Sequence, residues 1–279
     1  MSSEFILRAV TQNGLALQNA SDILKRDRMI VLAAVTENGM ALRFASFALQ
    51  GDRDIVLAAV TQDGRALKHA TGELQQSDRN IVLAAVMQNG LALQHAGVVF
   101  QNDREIVFTA VTKDRRALEY ASDPLKGDFE ILLTAVKEHG MALKHASDFL
   151  RSNEDIVVTA VRQNGWALQF ASDEMKNNEK VVLDAVVQKG WALCFASDQL
   201  KNNENIVLSA VKQNGLALQY ASNELQNDSN VVEAAETQNE QQRQLELRLR
   251  QQKQHWQLLQ QEWSNPTKFE GINTECMNE

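Results

Sequence analysis

Apolar residues recur along the chain in one phrase, and the phrase repeats. The dipeptide Ala-Val closes an apolar run at Val10, Val35, Val60, Val86, Val111, Val136, Val161, Val186 and Val211. The steps are 25 residues, except for one of 26 between Val60 and Val86. A glycine follows in eight copies, from Gly14 to Gly215, while Arg115 takes that slot in the fifth. Ala-Leu comes next, from Leu17 to Leu218, and an alanine stands three residues later in all nine copies, Ala20 to Ala221. Self-similarity at a fixed short period marks a stack of supersecondary units.

Each copy reads as a helical hairpin. In the fifth, Asn102 and Asp103 are N-cap residue types, and Glu105 suits the positive end of a helix dipole. Ile106, Val107, Ala110 and Val111 make one apolar stripe at helical period. The glycine slot then predicts a left-handed helix end. A second helix carries Leu168 and Ala171, and Ser172-Asp173-Glu174 opens a brief third helical piece. A hairpin of this length cannot bury its apolar face alone, so the units must stack. The expected fold is an all-α solenoid of nine hairpins over residues 4–228, of either hand, closed by a long C-terminal helix.

The extra residue of the third copy falls within Gln75–Asn80, between units, where an insertion does not rotate a helix face. Arg115 in the glycine slot predicts an altered turn or a weak joint. Pro124 lies one residue into the turn opened by Ser122, where its missing N–H is tolerated.

A tenth copy starts at Val231-Val232 but never reaches its glycine. The helical pattern of residues 229–263 runs on, with 10 Gln among the 26 residues from Gln238 to Trp263. Leu245, Leu249, Gln252, Trp256, Leu259 and Trp263 alternate by four and three, the spacing of a coiled-coil seam. Two readings follow, a helix capping the last repeat and a coiled coil that self-associates or binds a partner. Residues 264–279 are polar and read as a disordered tail.

Composition narrows the function. The net charge is −8, and the repeats carry 23 basic against 28 acidic residues. That is a poor basis for holding nucleic acid or an anionic membrane electrostatically. No apolar run approaches the ~20 residues of a membrane span. Cys194 and Cys276 form no disulfide framework or metal cluster and suit a reducing, cytoplasmic-type compartment. His69, His95 and His145 share one slot with Phe44, Tyr120, Phe170, Phe195 and Tyr220. A slot that takes either His or a ring selects a flat amphipathic side chain, so no metal site is expected. No phosphate loop, carboxylate pair or nucleophile motif appears, and the expectation is a protein without catalysis or cofactor.

The unit Asn-Asp-x-x-Ile-Val-Leu-x-Ala-Val-x-x-Asn-Gly-x-Ala-Leu-x-aromatic-Ala-Ser-x-x-Leu resembles the repeat family catalogued as domain-of-unknown-function 4116, over about residues 4–228. The resemblance implies a helical repeat scaffold, found mainly in protists and in bacteria that live inside them. It brings no catalytic residue or ligand. For a bacterial copy it implies an effector delivered into a eukaryotic host cell, a role that the acidic C-terminal end would suit.

The most variable slot follows the glycine and holds residues from Arg65 and Arg116 to Trp166 and Trp191. On an α-helix it would share a face with the ring slot four residues on. Trp166, Phe170, Trp191 and Phe195, with Arg65 and Arg116, are therefore the candidate partner-binding residues, since Trp and Arg are enriched in binding hot spots. The same rings could instead pack units together. The expected function is recognition of an unidentified protein or peptide. The alternatives are the recognition module of a larger enzyme and, less favoured, a single-stranded nucleic-acid binder that stacks bases on the rings.

Overall fold

The computed structural model describes residues 2–263. The expected disordered tail, 264–279, lies outside the described residues. Among the described residues the regular structure is helical, and nine units follow one another from first helices that start at residues 3, 28, 53, 79, 104, 129, 154, 179 and 204.

A unit has three pieces. In the second, they are an α-helix Arg28–Glu37, a 3-10 helix Gly39–Phe44 and a one-turn helix Phe47–Gln50. The first helices stack on one another, and each also packs on the 3-10 helices of its own and the preceding unit. One continuous core results. Its members are the slots singled out by the pattern, such as Ile55, Val56, Ala59, Val60, Ala66 and Leu67, all fully buried. The units thus pile up in sequential order, as a solenoid requires.

The second piece is a 3-10 helix rather than an α-helix. Asn38 adopts an extended backbone (φ −147°, ψ 106°), and its side chain accepts from Met40 N. Six residues is long for a 3-10 helix, and here it is sustained by packing on two neighbouring first helices.

The glycine slot is corrected as well. No described residue has a positive φ, so no left-handed turn exists. The slot is small because backbones touch: a Cβ on Gly165 would overlap the carbonyl oxygen of Ala185 in the next unit, and one on Gly215 that of Ala235. Close approach between units, not turn geometry, selects glycine here.

At Arg115 the turn is unchanged, with Asp114 at φ −149°, ψ 109° and accepting from Arg116 N. The joint to the sixth unit is what changes, packing less closely than its neighbours. Elsewhere one backbone bond links each short helix to the next at 2.8–3.0 Å, as in Ser172 N to Arg151 O. At this joint Ser147 N lies 3.4 Å from Lys126 O. A cleft of about 510 Å³ opens beside Arg115, Lys137 and Glu138. The joint is looser than its neighbours, and Arg115 stands there in place of the glycine.

The inserted residue of the third unit lies in the expected stretch, but it lengthens the short helix to Gly72–Ser77 instead of extending a loop. The fourth unit accommodates it. Its short helix Val98–Gln101 is capped by Gly97 where other units have Ser or Thr, and a Cβ at Gly97 would come 2.8 Å from Gln76 Cα. Pro124 sits in the first turn of Asp123–Lys126, as expected.

The long helix Ser229–Trp263 begins as a tenth first helix. Val231 and Ala235 are buried against the ninth unit. From Glu240 to Gln257 every residue is exposed. The capping reading fits its first three turns, and the rest projects.

Candidate functional site

Three edges of the stack carry side chains that vary from unit to unit. On the 3-10 edge, the slot after glycine and the ring slot are four residues apart. At three residues per turn they do not share a face, so Trp166 does not stack on Phe170. Trp166 instead meets Phe195 of the next unit, ring centroids 5.7 Å apart and edge-on, and Trp191 meets Tyr220 at 5.6 Å. Such offset contacts are favourable ring geometry. Trp166, Phe170, Trp191 and Phe195 are all half-buried. The structure therefore joins two of the four rings directly and uses both tryptophans between units.

Arg65 and Arg116 are exposed and lie apart, in the third and fifth units. Each folds back on its own turn, Arg65 onto Asp63 and Arg116 onto Asp114, at 2.6 Å. The Arg65 hydrogen bond holds the Asp63 carboxyl below the usual carboxylate range, and Arg116 does the same for Asp114. Arg65 lines a cleft of about 640 Å³ together with Leu15, Met40, Arg43 and Gln62. Gln62 spans two units there: its Oε1 accepts from Gly39 N at 2.6 Å and its Nε2 donates to Glu37 O.

The edge formed by helix N-termini differs between the two halves. In the first, each opening arginine reaches the Asp cap of the next unit: Arg28 to Asp52, Arg53 to Asp78, Arg79 to Asp103 and Arg104 to Asp128, at 2.7–3.0 Å. Partial burial pushes these carboxyls up. Arginine and two backbone N–H donors outweigh it, leaving all four below the ordinary range. Phe129 ends the ladder. Asn153, Asn178 and Asn203 cap the later units without charge.

The third edge was missed by pattern reasoning. In four of the first six units the opening positions of the short segment hold Ile23, Phe47, Val98, Val99 and Phe149, 71–79% exposed, while the third and fifth hold Gly72-Glu73 and Asp123-Pro124. The corresponding positions of the last three units hold Asp173-Glu174, Asp198-Gln199 and Asn223-Glu224. The signal was a slot that swings between apolar and acidic residues.

The ring-slot histidines are half-buried, and burial lowers the pKa of His69, His95 and His145, so they are neutral near pH 7. Burial pushes the Cys194 thiol up, away from reactive thiolate. Among the described residues no three His, Cys, Asp or Glu are grouped to hold a metal, and no helix is long and apolar enough to cross a membrane.

The family model described as Domain of unknown function (DUF4116) matches residues 2–50, 30–75, 78–126, 128–176, 178–226 and 203–240. The chain belongs to this family. Most DUF4116 matches span two consecutive units, and the last runs to residue 240, where the long helix leaves the ninth unit. No curated protein and no solved structure matches the chain.

Proposed function

We propose that the protein is a non-catalytic scaffold that binds a protein or peptide along the short-helix edge of its first six units. One observation carries this reading. Ile23, Phe47, Val98, Val99 and Phe149 stand 71–79% exposed on one edge, although the core is complete without them. Apolar side chains aligned on a soluble surface mark an interaction site. A backbone hydrogen bond ties each short helix to the next along this edge and is longest at the joint between the fifth and sixth units. A partner with apolar side chains spaced to match the units would dock without ordering cost on this side. On the 3-10 edge, Arg65 and Arg116, exposed but paired with Asp63 and Asp114, would add secondary contacts, whereas Trp166, Phe170, Trp191 and Phe195 serve mainly to join units. An effector in a host cell would act by occupying such a partner, and a recognition module of a larger enzyme would use the same edge.

The test is capture from lysate with the wild type and with Phe47→Asp/Phe149→Asp. Both positions are exposed, so helicity and melting should not change. The expected result is loss of a stoichiometric partner. Retention of the same partner by the double variant contradicts the proposal.

A further inference from the structure

Between residues 240 and 257 the long helix carries a seam on which no other described residue packs. Along the first three turns Val231 and Ala235 are buried against the ninth unit and Gln238 is half-buried. The same four-and-three stripe continues in phase through Gln242, Leu245, Leu249, Gln252 and Trp256. Leu245 and Leu249 are more than half exposed, and Trp256 is 66% exposed. A lone amphipathic helix in water is marginal and gains its stability from packing that stripe.

We infer that two copies of this chain pair antiparallel through the projecting helix, between residues 240 and 257. Two independent observations choose this occupant and this direction. The first is steric. The seam that would face the second helix is the seam that faces the ninth unit lower down. A parallel, in-register second helix would run its own first turns through the space that the ninth unit fills. An antiparallel helix brings its ninth unit to the far end of the first helix, away from the ninth unit of the first copy.

The second is charge. With the two-fold axis between residues 250 and 251, Leu245 faces Trp256 of the second copy and Leu249 faces its Gln252. Glu246 then flanks Lys253 of the second copy, twice by symmetry. A parallel pair would set Arg248 beside Lys253. The chain is therefore complementary to itself in one direction and self-repelling in the other. Leu247 falls outside the seam.

The test is sedimentation equilibrium on the full chain, over concentrations up to about 100 µM. The wild type is expected to reach the mass of two chains. Leu249→Lys is expected to remain a monomer, with its repeats melting unchanged because Leu249 touches none of them. Lys253→Glu places Glu246 against a second carboxylate and should weaken pairing about tenfold. Glu246→Lys/Lys253→Glu should restore it. A wild type that stays monomeric throughout, or a dimer that survives Leu249→Lys, overturns the inference. So does tighter association of Lys253→Glu, the result a parallel pair would give. None of these readings depends on the short-helix edge.

Discussion

The second to fifth units and the seventh to ninth share one core and use different surface contacts to hold neighbours in register. In the earlier group the helix caps are Asp, each accepting two backbone amides and, from Asp52 on, an arginine from the preceding unit. Asp52, for example, accepts from Asp54 N and Ile55 N at 3.1 Å and from Arg28 at 3.0 Å. In the later group the caps are Asn, which accept one amide each, and the arginines are absent from that edge. Tryptophan-ring pairs tie the later units, together with the ion pairs Lys180–Glu154 and Arg162–Asp184 between the seventh and eighth. The exposed apolar residues at the short-helix positions all precede the seventh unit, although Glu73 and Asp123 also stand there. The sixth unit stands between the groups: its cap Asp128 is still held by Arg104, and its joint to the fifth unit is open beside Arg115. A repeat array can therefore change the chemistry of its joints without changing its fold, provided the glycine contact and the apolar slots persist.

The largest way to break this comparison is at what both groups share. Gly165→Ala drives a Cβ into the Ala185 carbonyl and should cost about 3 kcal/mol, the upper end for overpacking. Calorimetry of the variant measures it, and an unchanged melting point would mean that the glycine slot does not set the approach of units.

Next is the ring joint. Trp191→Ala removes a half-buried ring from Tyr220 and should lower stability by about 2 kcal/mol, less than a fully buried tryptophan. Hydrogen exchange should place that loss in the eighth and ninth units and leave the second to fifth alone.

Acid separates the groups from the other side. The cap carboxyls of Asp52, Asp78, Asp103 and Asp128 titrate below their unfolded values. Their contribution is complete above about pH 4, the unfolded carboxylate value, and disappears as pH falls through the lower folded values. The second to sixth units should lose amide protection first on acidification, while the Asn-capped units hold. High salt should act in the same direction and more weakly, because the paired arginines are exposed. Simultaneous loss across all units would remove the distinction.

The smallest effect is expected at the boundary. Arg115→Gly lets the fifth and sixth units close to the spacing of the others and should slow exchange in Phe129–Glu138. Unchanged exchange there would mean that Arg115 is not what holds the joint open.

The stack, the unit boundaries and the core slots were legible because a period of 25 residues repeats each constraint nine times. Val60 and Ala66 are buried for the same reason as Val161 and Ala167. The glycine was legible as a constraint but not as a cause, since close approach and a left-handed turn select the same residue. The 3-10 geometry was hidden as well. Gly-Trp-Ala-Leu suits either helix, and only packing between two first helices tightens it. With that geometry lost, Trp166 and Phe170 looked like a shared face, and the contact to Phe195, 29 residues on, was out of reach. Ile23, Phe47 and Phe149 went unnoticed because single apolar residues in a short segment carry no period of their own.

Site-resolved hydrogen exchange on the native full chain tests the central claim most directly, that each unit is stabilised only by the neighbours it touches. Protection should rise and fall with the 25-residue period and show its lowest internal value at the joint between the fifth and sixth units. One uniform opening energy from the first unit to the ninth, with no minimum at Arg115, would contradict it.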